Sequence, residues 1–217
     1  MLGLWGCEKV KVENQAAADV FIKAIKKADG TTAYTAIHSV FSYNVMTTVS
    51  VTSPAGTTSQ LLNFDNAGNS FFNEPTDAEF LATPPVAGSY VYNVKFKDGE
   101  EKLYTNALAS SYILPANITS LAKTASGDSV YIKWDAIANV HAYQLKVMKG
   151  TTQIYYQPSF ADGSSPLKTS LRLGYLVSSL NSSGSGTYTF ELTGLLFEST
   201  AYDVLQAVST SSKDINL

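Results

Sequence analysis

The sequence is poor in the residues that usually carry chemistry. Cys7 is its only cysteine, so no intrachain disulfide can form. His38 and His141 are its only histidines and stand roughly a hundred residues apart, a poor start for a zinc site. No serine sits in a Gly-x-Ser-x-Gly elbow. Charged residues make up only 15% of the chain, and the net charge is -3. Lys and Arg against Asp and Glu number 8 to 11 before Pro115 and 7 to 7 after it. Neither half is basic, so no nucleic-acid partner is expected. No apolar run approaches the roughly 20 residues of a membrane helix. These absences point away from an enzyme, and no cofactor or metal is expected.

What remains is a chain with ordinary hydrophobic content, 45%, and abundant Ser, Thr, Tyr and Asn. That mix suits strands with one wet face, joined by many turns. One phrase occurs twice. Gly88-Ser89-Tyr90-Val91-Tyr92-Asn93-Val94 recurs as Gly186-Thr187-Tyr188-Thr189-Phe190-Glu191-Leu192. In both, a glycine opens a run in which large apolar residues alternate with smaller or polar ones, the period of a half-buried strand. The repeat predicts an all-β chain of two tandem immunoglobulin-like β-sandwiches, over residues 15–114 and 115–217, with residues 1–14 as a leader and tether.

Ala18 to Ala28 can be read as an amphipathic helix or as a strand. The Asp29-Gly30 turn and the run Thr31 to Phe41 favour a hairpin. Further strands are expected over 45–52, 59–64, 78–82, 90–96 and 102–108. Asp65 to Pro75 reads as a polar loop holding Phe71-Phe72. Pro115-Ala116-Asn117 reads as the domain junction. Two registers fit the end of the chain. Either Tyr188 to Phe197 is followed by a last strand over 204–217, or Tyr202 opens the penultimate strand. The first closes the sandwich and is preferred.

Ser129-Val130-Tyr131-Ile132-Lys133-Trp134 followed by Ala142-Tyr143-Gln144-Leu145-Lys146-Val147 resembles strands B and C of a bacterial fibronectin type III domain. The resemblance covers residues 117–217. It implies that Trp134 ends one strand, that Tyr143 opens the next, and that the large ring fills the space between the sheets. Leu4-Trp5-Gly6-Cys7 resembles a lipobox, which implies that Cys7 receives a lipid and tethers the protein to a membrane. Trp5 is atypical there, and the apolar stretch before Cys7 is shorter than a secretory leader. The expected location is the bacterial cell envelope, anchored at the outer membrane.

Candidate chemistry is thin. Asp77 and Glu79 are close in sequence, as glycosidase carboxylates must be in space, but loops carry such pairs routinely. Asp65, Asn66 and Asn69 offer hard oxygens, yet the same residues are ordinary turn formers. The aromatic pairs are the best hint of binding. In Phe71-Phe72 and Tyr155-Tyr156, neighbouring side chains point to opposite faces of a strand, so one of each pair should face out. With Phe160, which lies beyond Gln157-Pro158, they are candidates for contact with a glycan or protein partner. The alternative is that they cap the core. The sequence thus predicts a non-catalytic surface lipoprotein for adhesion, scaffolding or glycan contact. Rival readings are a strand-exchanging, pilus-like assembly subunit and an accessory domain of a surface enzyme system.

Overall fold

A computed structural model of the chain describes residues 13–73, 75–160, 167–174, 176–199 and 204–217. The protein is all-β. Its first strands are β1 (Ala17–Lys26), β2 (Thr32–Phe41), β3 (Met46–Thr52), β4 (Thr58–Gln60), β5 (Leu62–Asn63) and β6 (Ser70–Phe72). They are followed by β7 (Gly88–Phe96), β8 (Glu101–Leu108), β9 (Ile118–Lys123), β10 (Val130–Trp134) and β11 (Ala142–Lys149). The remainder are β12 (Thr152–Phe160), β13 (Ser170–Leu173), a short helix α1 (Leu176–Ser182), β14 (Thr187–Phe197) and β15 (Leu205–Asn216). Among the described residues, no helix is long and apolar enough to cross a membrane.

The chain folds into two compact units. One takes the described residues up to 19 with His38–Asn73 and Tyr90–Asn106; the other takes Val20–Ile37, Glu74–Ser89 and Ala107–Leu217. These units do not follow the boundary drawn at residue 115. The physical reason is a long-range strand pairing. Within the second unit β1 lies parallel on β15, with Ile22 opposite Ala207 and Ile25 opposite Thr210. Residues early in the chain therefore share a sheet with its last strand.

The first unit is a two-sheet sandwich. One sheet has the order β4-β3-β7-β8; the other joins the end of β2 to β6 and β5. Between them pack Met46, Val49, Val51, Phe71, Val94 and Phe96, all buried. His38 lies in this core too. Its Nδ1 is 2.9 Å from the Tyr92 hydroxyl, and that hydroxyl donates to the Asp19 carbonyl at 3.0 Å. The phenolic proton is thus committed, so Nδ1 must carry the proton it shares with Tyr92. The Tyr90 and Tyr92 rings lie 5.1 and 5.9 Å from the imidazole. Burial holds the His38 pKa down at about 4.

The second unit pairs β9-β10-β13 as one sheet, with β12-β11-β14-β15-β1-β2 as the other. Strands β9 to β15 supply seven strands in two sheets, ordered β9-β10-β13 and β12-β11-β14-β15, as in a fibronectin-like sandwich. Trp134 ends β10 and is 1% exposed. Its ring meets that of Tyr143 edge-on, with centroids 5.2 Å apart. Val130, Ile132, Leu145 and Phe190 surround the same core and are fully buried. The large rings lie where the two sheets face one another and need filling. The last two strands follow the preferred register. β14 and β15 pair antiparallel from Thr187 opposite Asn216 to Phe197 opposite Leu205. Tyr202, on which the other register turned, lies outside the described residues.

Several local expectations are corrected. Residues 59–64 are not one strand: β4 pairs with β3, whereas β5 pairs with β6. The chain changes sheets at Leu61, which is buried and donates its N–H to Val49 O at 2.9 Å. The supposed loop around Phe71-Phe72 is strand β6. Residues 78–82 do not form a strand but a 3-10 turn, Asp77–Glu79, and a single bridge from Leu81 to Tyr34. The expected break at Gln157-Pro158 is a bulge inside β12, where the pairing with β11 shifts between Leu145 and Tyr143. Proline is tolerated there because β12 is an edge strand. Helix α1 was not anticipated, because seven residues are too few to show a clear period.

The buried histidine makes the first unit acid-sensitive. A folded-state pKa below the ordinary 6.5 means that neutral His38 stabilises the fold fully above pH 6.5. This contribution is lost as pH falls from 6.5 through about 4. The full loss is on the order of 3 kcal/mol. Urea unfolding followed between pH 7 and pH 4 should show it, and His38→Phe should flatten the stability profile in that window. An unchanged profile would mean that His38 is not protonated on unfolding.

Candidate binding surface

The aromatic pairs of the sequence resolve as strand geometry requires. Phe71 stands opposite Val40 and Asn63 and is buried at 3% exposure. Phe72 stands opposite Ser39 and Leu62, on the outer face. There it meets Phe64 edge-on at 4.8 Å, and Phe64 is 66% exposed. Phe41 and Tyr43 form a second exposed pair in the same unit, 5.1 Å apart. In the second unit Tyr155 stands opposite buried Val147 and donates its hydroxyl to Gln157 Oε1 at 2.9 Å. Tyr156 stands opposite Lys146 and is 46% exposed. One ring of each pair therefore faces out. The Phe160 backbone pairs with Tyr143, but its side chain lies outside the described residues, as does Cys7.

Tyr156 borders a groove in the second unit with a volume of 600 Å³. The floor is the outer face of β11, β14, β15 and β1, and the pairing register builds it row by row. Gln144 is opposite Thr193, Thr193 opposite Thr210, and Thr210 opposite Ile25. The next row runs Tyr156, Lys146, Glu191, Ser212. Opposed residues of paired strands share a face, so these side chains rise together from one sheet. Thr193 and Thr210 hydroxyls are 3.1 Å apart, and Lys146 Nζ meets Glu191 Oε2 at 2.5 Å. Pro75, Asp77 and Phe80 form a rim. Phe80 is buried, with Lys23 Nζ 5.9 Å from its ring centroid. The groove thus offers hydroxyls, an amide, an ion pair and one open aromatic ring on a rigid floor.

The other candidates have structural occupations. Glu79 Oε2 accepts from the Thr76 backbone N–H at 2.7 Å and from its hydroxyl at 2.8 Å, closing the cap of the 3-10 turn. Those two bonds hold its carboxyl below the usual range. His141 Nδ1 accepts the Phe197 N–H at 3.2 Å, and the two rings stack. Asp65 Oδ1 gathers the backbone N–H groups of Ala67, Gly68 and Asn69 at 3.0 to 3.3 Å. Asn69 Nδ2 donates to Ser42 O at 2.9 Å. These residues organise a turn, as their composition suggested. Among the described residues, no cluster of three or more His, Cys, Asp or Glu could hold a metal ion. The lysines around the groove were missed by sequence reading, since they are scattered along the chain and only the sheet brings them together.

No family model matches the sequence, and no curated protein matches it. Solved structures similar to the chain include a cytokine receptor complex, at 13% identity and a TM-score of 0.33, with 92% of this chain and 95% of that one covered. A tetra-tandem repeat from the extending region of a large adhesion protein is similar at 17% identity and a TM-score of 0.31, covering 93% of this chain and 50% of that one. A two-domain fibronectin type III segment of chicken tenascin is similar at 13% identity and a TM-score of 0.30, covering 94% and 100%.

The contrast between buried and outward rings can be measured. Phe71→Ala should cost about 3–5 kcal/mol of stability, the usual loss for a buried phenylalanine. Tyr156→Ala should change stability by no more than about 0.5 kcal/mol, as surface substitutions do. Urea denaturation of the two variants tests the assignment. A large loss from Tyr156→Ala would place that ring in the core.

Proposed function

We propose that this chain is a non-catalytic, envelope-displayed module that contacts glycans through the groove beside Tyr156. The carrying observation is the character of the groove. Its floor presents Gln144, Thr193, Thr210 and Ser212, neutral groups that exchange hydrogen bonds with sugar hydroxyls, and Tyr156 offers a ring face for the apolar side of a pyranose. The volume falls within the roughly 300–1,000 Å³ typical of small-ligand sites. The site is built on paired strands, so its geometry is held before the ligand arrives and little ordering cost falls on binding. A non-catalytic role agrees with the occupations of His38, His141 and Glu79. The tether half of the proposal rests on Leu4-Trp5-Gly6-Cys7: lipid on Cys7 would hold the module at the membrane.

Screening the purified chain against a panel of immobilised glycans tests the groove. Tyr156→Ala should weaken the strongest response about tenfold, the loss of a stacking contact worth about 1.4 kcal/mol, while the fold stays intact. Equal binding by the variant, or no response across the panel, would refute the reading. The tether has its own test. Cys7→Ser should move the protein from the membrane to the soluble fraction in cells, and retention at the membrane would refute lipid anchoring.

A further inference from the structure

A second hollow of 360 Å³ adjoins the groove and shares Lys26 and Ser212 with it. Lys23, Lys26 and Lys146 line the groove; Lys26, Lys27 and Lys213 line the hollow. Five of the chain's 15 cationic side chains therefore line these two adjoining hollows of a protein whose net charge is -3. Among the described lining residues two are carboxylates, Asp77 and Glu191; Glu191 is already paired with Lys146, and Asp29, in the turn beside the hollow, feels the charge of Lys27.

Three of these ammonium groups are held in place by neutral acceptors. Lys26 Nζ donates to Asn117 Oδ1 at 3.1 Å, Lys27 Nζ to Phe80 O at 3.2 Å and Lys213 Nζ to Ile118 O at 3.1 Å. A carbonyl or amide oxygen orients the ammonium group without cancelling its charge. Among the described residues, none of the three makes an ion pair with a carboxylate. Like charges placed together repel, so an arrangement of this kind stores electrostatic free energy that an anion would release.

We propose that the ligand of the groove is an acidic polysaccharide, its sugar hydroxyls on the Gln144–Thr193–Thr210 row and its anionic substituents along the lysine stripe. This rests on the glycan reading of the groove and adds the chemical class of the ligand. The stripe favours a polymer over a single acidic sugar. Lys23, Lys26 and Lys27 follow one another along β1 and the turn after it, and Lys213 stands on β15, so the cationic surface continues out of the groove into the hollow. A chain carrying a negative group at intervals can meet several of these lysines at once. Lysine supplies point charges with no fixed fork, so the shared requirement is an anionic substituent, either carboxylate or sulfate.

Binding is measured by titration calorimetry with four probes: a polyuronate, a sulfated polysaccharide, an uncharged polysaccharide of similar length, and single-stranded DNA. The polyuronate or the sulfated chain should bind at least about tenfold more tightly than the uncharged one at low salt, and the preference should shrink as salt shortens the screening length. Whichever of the two binds more tightly identifies the anionic group. Lys26→Gln and Lys213→Gln should each weaken acidic binding by roughly three- to tenfold and leave any binding of the uncharged chain unaltered. Lys97→Gln, a charge removed in the other unit, is the control and should change nothing. Tight uncharged binding that Tyr156→Ala destroys, with no acidic preference, would overturn this proposal and leave the glycan groove standing. DNA binding as tight as that of the acidic glycan would overturn it too, because the surface would then be reading charge alone. No binding to any polysaccharide would remove both readings.

Discussion

The pairing of β14 with β15 is the constraint on which the second unit depends. It runs without interruption from Thr187 to Leu196. Along β14 it turns Tyr188, Phe190 and Leu192 inward, and Glu191 and Thr193 outward. A slip of one residue would exchange the two sets, burying a carboxylate and exposing three large apolar side chains. The core and the groove are therefore two faces of a single register. Burial of the inner face fixes that register, and the hydrogen-bonding rows on the outer face follow from it without further cost. Lys146 and Glu191 then add a cross-strand ion pair on the wet side, where such pairs contribute little to stability but do fix side-chain positions.

The two units use their polar residues in opposite ways. In the first, a histidine and a tyrosine are taken into the core and satisfied there, through the His38–Tyr92–Asp19 chain of hydrogen bonds. In the second, polar residues are collected on an outer sheet face, with five lysines lining the groove and the hollow beside it. A buried network of the first kind specifies one packing arrangement. A surface of the second kind is poised for a partner. This division is why the groove, rather than the exposed Phe64–Phe72 pair of the first unit, carries the functional proposal: the groove combines shape, directional hydrogen bonding and charge.

Much of this was legible in the sequence where structure is local and periodic. The repeated Gly-x-Tyr phrase reports two strands with the same phase. Gly88 and Gly186 both adopt positive φ, 133° and 143°, and Tyr90 and Tyr188 are the first buried residues after them. Trp134 and Tyr143 marked the second core because a ring of that size has few other places to go. Phe71 is buried and Tyr156 exposed, as strand alternation allows, although the sequence reads Phe71-Phe72 as part of a loop. What escaped was non-local. The crossing of Leu61 between sheets leaves no period to detect, since β4 and β5 are three and two residues long. The parallel contact of β1 with β15 joins segments from opposite ends of the described chain, and no turn residue announces it. The lysine stripe is invisible for the same reason, because β1 and β15 supply neighbouring parts of it only once they are paired.

That parallel contact has a consequence for synthesis. A ribosome makes β1 early and β15 late, so the β1 edge that β15 will cover stays open until nearly all of the described chain has been made. During that interval it is a strand edge available to any other extended segment. The risk falls on nascent chains in crowded polysomes, where the same segment of a neighbouring copy is close by. Lys23, Lys26 and Lys27 then have an earlier duty, since like charges along an uncovered strand discourage two copies from pairing edge to edge. The residues proposed to meet an acidic ligand in the finished protein would first serve as guards of its assembly.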